Sequence, residues 1–380
     1  MKNSKNAKGI YFFFLSVIMI FTTVNMMEFL RGSEEDGRRL GLGQMETVED
    51  TAVTLWGGIQ RLAGKRLAFG NTVYEDVTLL DENGVTMADP FPSVQAASLG
   101  AEQARKLAME VDAAFLYVQV PGKELSQTEF PEGVTDYSIQ KYDTVISNLQ
   151  SKNIPVLPMR EIILEDAEKN GKDWMEYFYR TDHHWQNKAA FLAYQEICKE
   201  MQKQGLTVKE SLLQEDCYEQ TIYEKVFLGT HGRMAGPLST GLDDYERWIP
   251  KFETDYTLDV ESRGIHKKGS FEECFVHYEN LAHYSYDYYA YYAYLQEDYE
   301  CIEITNRLCS DGARIVIIRD SEAVPVSVFL ASQCSELDIL DLRYMKDNYA
   351  ADYIREKKPD MILYIFGTGY LGDEKAMMLW

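Results

Sequence analysis

Positive charge is in short supply in this chain. Its 380 residues hold 38 Lys and Arg against 61 Asp and Glu, a net charge of −23. Such an acidic surface repels phosphate backbones and anionic lipid, which argues against nucleic acid as a partner. Cysteine is also scarce. The six present (Cys198, Cys217, Cys274, Cys301, Cys309, Cys334) include no C-x-x-C pair, so zinc-ribbon and thioredoxin-type readings fail. Cys301 and Cys309 are closest in sequence if any pair forms outside a cell, whereas Cys198 reads as a buried free thiol. No repeat with a period of 20–50 residues appears, which excludes a solenoid.

Long apolar runs are absent but for one. Residues 9–27 carry no charge and follow Lys2, Lys5 and Lys8. Roughly 20 apolar residues span a bilayer, and positive flanks stay in the cytoplasm. The run lacks an A-x-A cleavage pattern, so it reads as an uncleaved anchor rather than a signal peptide. The expected organisation is a cytoplasmic tail (1–8), a transmembrane anchor (9–27) and a charged, Gly-rich tether (28–65), with a possible helix over 45–62. One extracytoplasmic α/β domain (66–380) follows.

An apolar fraction of 46% excludes wholesale disorder. Twenty-six Tyr and five Trp suit both cores and sugar-binding clefts. From residue 101 onward, helical and apolar extended segments alternate. Helices are expected over 101–111, 137–152, 186–203, 325–332 and 349–357. Strands are expected over 113–120, 154–157, 314–319, 337–342 and 361–366. A turn is expected at 81–84. Alternation of this kind implies a central, mostly parallel sheet in a three-layer domain. Residues 206–300 break the pattern and read as an irregular insertion with short strands.

The densest chemistry lies at Asp182, His183, His184 and Trp185. The chain has only six His, so two adjacent ones beside an acid stand out. In extended chain, residues i and i+2 share a face. Asp182 then orients the His184 imidazole as a base, while His183 points away and is free to bond the sheet. A metal site formed by Asp182, His183 and His184 is the rival reading, disfavoured because adjacent residues rarely point at one ion. Trp185 reads as a packing wall. Ser321 follows the strand 314–319, where open α/β sheets gather reactive groups. It reads either as a helix-capping residue or as a nucleophile whose backbone N–H meets an oxyanion. Arg233 reads either as an oxygen-binding fork or as an ion pair with Asp243 or Asp244. Arg343 and Tyr344 follow the next strand end. The Tyr-dense run 284–294 reads as a core face or as rings presented to a glycan.

The 180–185 block resembles the signature of the DHHW protein family, which is similar to SGNH hydrolases and, more distantly, to extracytoplasmic proteins of alginate O-acetylation. The resemblance spans roughly 113–366. It includes Gly232-Arg233, Asp243-Asp244, Asp320-Ser321 and the Asp341 to Tyr344 block. It implies an SGNH-like domain with a triad of Ser321 (nucleophile), His184 (base) and Asp182 (orienting acid). Arg233, His183, Arg343 and Tyr344 are then expected at the substrate, and no cofactor or metal is implied. The expected activity is O-acetyl transfer or acetyl-ester hydrolysis on a cell-surface polysaccharide at the membrane, with a membrane acyl-transfer protein as a possible partner. Glu322 departs from the family, which is expected to have an apolar residue there. A carboxylate beside the nucleophile opposes an oxyanion. The alternative is therefore an inactive glycan-binding or assembly protein of the cell envelope.

Overall fold

Three near-continuous apolar segments, Ala114–Gln119 (β1), Ala313–Arg319 (β6) and Met361–Phe366 (β8), form the centre of the fold with the more polar Cys334–Leu340 (β7). The remaining strands of the same sheet are Val156–Pro158 (β2), Tyr256–Val260 (β3), Ile265–Gly269 (β4) and Cys301–Asn306 (β5). In this computed structural model the described residues are 48–68, 77–80, 84–125, 130–345 and 349–380. The expected tail and anchor, the tether up to residue 47, and 81–83 of the expected turn lie outside them. Among the described residues no helix is long and apolar enough to cross a membrane.

The strand order is β2-β1-β8-β6-β7-β5-β3-β4. The first four junctions are parallel and the last three antiparallel. Burial follows this division. All six residues of β8 are buried, while β4 alternates half-buried and exposed. A parallel strand covered on both faces needs a continuous apolar run, whereas an antiparallel edge needs only one apolar face. The short strands expected in the insertion 206–300 are present, and the stretch is more regular than expected. The segment supplies β3 and β4, plus a separate antiparallel hairpin of Tyr218–Phe227 with Asp243–Pro250. β5, just beyond it, was not expected at all.

Two cores sandwich the sheet. Ile315 and Ile317 of β6 face one, and Val316 and Ile318 face the other. The first core takes helix Asn187–Lys203 through Phe191, Tyr194, Ile197 and Met201, all buried. Each such side chain contributes about 1.5–3 kcal/mol by leaving water. Gly205, at φ +81°, follows the C-cap of that helix. The second core takes helices Gln95–Glu110, Ser138–Ser151 and Tyr349–Lys357. All six cysteines are free thiols, so Cys301 and Cys309 do not pair.

The helix expected over 45–62 is found, but as part of the folded domain rather than of the tether. Helix Val48–Leu62 docks on the helical turns Thr230–Ala235 and Pro237–Thr240. A Cβ on Gly57 would lie 1.7 Å from the Ala235 carbonyl oxygen, so only glycine allows that approach. The ladders of β1, β8 and β6 run to Gln119, Phe366 and Arg319, which aligns their carboxyl ends. The loops leaving those ends carry Lys123, Gly367 and Ser321.

Candidate active site

Phe178 and Trp185 form an isolated antiparallel bridge, and Tyr179 N–H donates to the His184 carbonyl at 3.2 Å. Residues 179–184 are thereby closed into a tight bend rather than the extended chain expected. Inside it, Asp182 Oδ1 accepts the His184 N–H at 3.0 Å and lies 2.5 Å from His184 Nδ1. An Asp accepting from the backbone two residues on makes an Asx turn. That turn, not a shared strand face, joins acid to imidazole. It also corrects His183, which neither points away nor bonds the sheet. Its ring centroid lies 3.8 Å from that of His184, and its Nδ1 lies 3.6 Å from Asp182 Oδ1.

Remote groups hold the bend. Asp243 accepts from Arg180 N–H (2.9 Å), Thr181 N–H (2.7 Å) and the Thr181 hydroxyl (2.6 Å). Lys123, 1% exposed, donates from Nζ to the carbonyls of Tyr179 (2.9 Å) and Arg180 (3.2 Å). Burial brings its pKa down to about 8, against the pull of Glu124, Asp243 and Asp182. Gly229 donates to the Thr181 hydroxyl at 2.8 Å, and a Cβ there would lie 2.4 Å from Asp182 Cβ. Asp182 Oδ2 accepts from Thr230 N–H at 2.6 Å and from the Tyr289 hydroxyl. Burial alone would raise the Asp182 pKa. The neighbouring His184 and His183 and these hydrogen bonds hold it well below the usual carboxylate range.

Ser321 arrives from the other side. Asp320 accepts the Glu322 N–H at 3.0 Å and so caps the turn Ser321–Ala323 that leads into helix Val324–Leu330. Ser321 Oγ lies 2.8 Å from His184 Nε2. Trp185 Nε1–H donates to the Glu322 carbonyl at 2.9 Å, and the Tyr291 hydroxyl donates to the Ser321 carbonyl at 2.9 Å. The Tyr291 ring stacks on His184 with centroids 3.7 Å apart. Trp185 is thus a buried wall that also ties the two segments together. Burial would lower the His184 pKa, but the charge of Asp182 and its hydrogen bond, joined by Glu322 and Asp320 when these are ionised, raise it above the ordinary value. The Glu322 N–H is committed to Asp320, whereas that of Ser321 has no acceptor among the described residues.

An open cleft of about 500 Å³ brings together His183, His184, Ser321, Arg233, Arg343 and Tyr344. The two arginines are already engaged. Arg233 donates to the carbonyls of Leu228 (3.1 Å), Ser285 (3.3 Å) and Tyr288 (2.7 Å), and its guanidinium lies 4.6 Å from the Tyr289 ring centroid. The alternative of an ion pair with Asp243 or Asp244 is not found. Arg343 pairs with Asp341 at 2.5 Å and Asp298 at 2.9 Å, and forms a wall of the cleft beside the half-exposed Tyr344. The Tyr-dense run divides: Tyr291 and Tyr294 are fully buried, whereas Tyr289 and Tyr292 line the cleft. Lys123, Tyr289 and Tyr291 were missed as site residues. Lys123 gives no local signal, while the two tyrosines lay in a run whose density was the only clue.

Asp182, His183 and His184 do place potential ligand atoms within 4.8 Å of one another. The donor set nonetheless fits a metal poorly. Both Asp182 oxygens already accept two contacts each, and His184 Nε2 faces Ser321.

Residues 85–263 match the family model described as an SGNH hydrolase-like domain, acetyltransferase AlgX. The chain therefore has the SGNH-like α/β fold, with a mostly parallel central sheet. Among solved structures it is similar to Bacillus cereus PatB1 with a sulfonyl adduct, at 19% identity and a TM-score of 0.61, over 82% of this chain and 99% of that one. It is also similar to a DHHW family protein from Eubacterium siraeum, at 20% identity and a TM-score of 0.60, over 82% of this chain and 97% of that one. The expected resemblance to the DHHW and AlgX-type proteins holds. No curated protein matches the chain.

Proposed function

We propose that the protein is a serine-dependent O-acetyltransferase or acetylesterase acting on a cell-surface polysaccharide, held at the membrane by residues 9–27. The observation that carries this reading is the contact of Ser321 Oγ with His184 Nε2 at 2.8 Å, with Asp182 at the other ring nitrogen. Ser321 Oγ attacks the acetyl carbonyl carbon, and His184 Nε2 takes the hydroxyl proton. The Ser321 N–H meets the tetrahedral oxyanion. Collapse breaks the bond to the leaving oxygen, which receives the proton from His184 and leaves an acetyl-Ser321 ester. A sugar hydroxyl or water then attacks that ester. His184 again takes the proton and returns it to Ser321 as the product departs. Asp182 keeps the imidazole in the tautomer that these steps need.

The AlgX acetyltransferase-domain match supports acyl transfer as the class. PatB1 has been solved with a sulfonyl adduct, and Ser321 is expected to accept one from a sulfonyl fluoride. The test is turnover of a chromogenic acetyl ester by the full chain. Ser321→Ala and His184→Ala should each lower kcat/KM on the order of 10³-fold or more. Absence of both wild-type turnover and Ser321 labelling, with glycan binding intact in both variants, would instead establish the non-catalytic glycan-binding reading.

A further inference from the structure

Glu322 is a buried acid that the acyl-transfer steps leave unused. It is 6% exposed, and its Oε2 meets no hydrogen-bond partner among the described residues. Asp320 is as deeply buried but differently partnered. Its Oδ1 accepts the Glu322 N–H at 3.0 Å, and its Oδ2 accepts the Gly367 N–H at 2.9 Å. Both side chains close over Gly367. A Cβ there would lie 3.0 Å from Glu322 Cγ and 3.5 Å from Asp320 Oδ2. Two carboxylates packed together away from water resist ionising together. The two N–H donors favour the charge on Asp320. Glu322 Oε2 has no such donor, although the Trp185 backbone N–H favours the charge on this carboxyl; with two donors against one, the proton belongs on Glu322.

We propose that Glu322 stands beside the nucleophile as a neutral carboxylic acid, and that its ionisation ends acyl transfer at alkaline pH. The inference rests on the serine-dependent reading above. Neutral Glu322 places no charge against the oxyanion forming next to Ser321. Once ionised, it repels that oxyanion and favours a protonated His184, which is no longer a base.

The groups facing Glu322 come from four segments. Asp182 and His184 lie on the bend, and Asp320 on its own strand end. Tyr291 comes from the Tyr-rich run, and Arg343, from beyond β7, faces Asp320. Burial raises the Glu322 pKa, with Asp320 and Asp182 adding to it and His184 and the Trp185 backbone N–H opposing. Burial raises the Asp320 pKa as well, to about 6, but Arg343 and the two N–H donors pull against it, so the charge settles first on Asp320.

The test compares pH profiles of kcat/KM for the full-length wild type and Glu322→Gln, with a chromogenic acetyl ester. The wild-type rate should fall at alkaline pH, and the glutamine variant should lack that fall while keeping the acid limb set by His184. An unchanged alkaline fall in the variant overturns the proposal. So does loss of its turnover at every pH, because the carboxyl would then take part in the chemistry. Thermal unfolding supplies a readout that needs no turnover. A carboxyl with a raised folded pKa loses stability as pH climbs from the unfolded value, ~4.3, toward the folded one. Over that range the wild-type Tm should drop relative to the variant by at least about 2 °C. Parallel Tm curves overturn the proposal. Diverging curves without wild-type turnover overturn the serine-dependent reading alone and leave the neutral Glu322 standing.

Discussion

The bend that carries Asp182 and His184 and the turn that carries Ser321 meet at 2.8 Å, yet they are built differently. The turn is mostly local. It continues β6, its cap is the preceding residue, and Asp320 N–H still pairs with Ile365 of the neighbouring strand at 3.3 Å. The bend belongs to no sheet. Besides its own Asx turn, it depends on Lys123, Asp243, Gly229, Thr230 and Tyr289, drawn from four distant segments. A nucleophile on a strand end inherits the rigidity of the sheet. A base on a loop needs an external frame, and much of that frame is polar, buried and therefore sensitive to single substitutions.

The comparison can be broken most severely at its internal acid. Asp182→Asn should lower kcat on the order of 10³-fold with KM little changed, because the amide favours the wrong imidazole tautomer. Steady-state kinetics check this, and a loss under tenfold would mean that His184 does not depend on its orienting partner.

The frame comes next. Lys123→Met leaves two buried carbonyls without their donor and should cost about 2 kcal/mol in urea unfolding, with a fall in kcat. If the Ser321 turn is the sturdier half, sulfonyl-fluoride labelling in Lys123→Met should fall through His184 misplacement. Restoration by Lys123→Arg would mark the role as positioning.

Smaller effects should follow at Tyr289. Tyr289→Phe removes one donor to Asp182 and should lower kcat about tenfold. Without that donor the Asp182 charge is less dispersed, so the acid limb of kcat/KM should move to higher pH. In the wild type that limb should already lie above the usual histidine value of ~6.5, because the His184 pKa is raised and only the neutral ring accepts the serine proton. A limb below that value would mean that Asp182 does not raise the His184 pKa.

The mildest change is outside both halves. Tyr344 is 56% exposed on the cleft wall, so Tyr344→Ala should raise KM for a glycan substrate a few-fold. Its stability should stay within about 0.5 kcal/mol of wild type. An effect on kcat alone would remove Tyr344 from the substrate surface.

Much of this was legible in the chain where physics repeats a pattern. β1, β6 and β8 are buried on both faces, and their near-continuous apolar runs announced them within a residue or so. β3, β4 and β5 sit at the antiparallel edge. Their one-sided alternation is a weaker signal, so the stretch around 206–306 looked irregular. The Asp182 block was conspicuous because of its rare residues, but its geometry was not. An extended segment and an Asx turn both bring i to i+2, and only the bridge between Phe178 and Trp185 decides between them.

The amino-acid sequence by itself determined the α/β alternation, the anchor-like run and the short list containing Asp182, His184 and Ser321, since each rests on local periodicity or composition. Tertiary structure alone decided that residues 137 positions apart come within 2.8 Å, that Lys123 and Tyr289 support the bend, and that Glu322 Oε2 lies buried without a hydrogen-bond partner among the described residues. The reason is physical. Periodicity is written along the chain, whereas hydrogen-bond partners and burial are properties of neighbours in space, which exist only once the sheet aligns its strand ends.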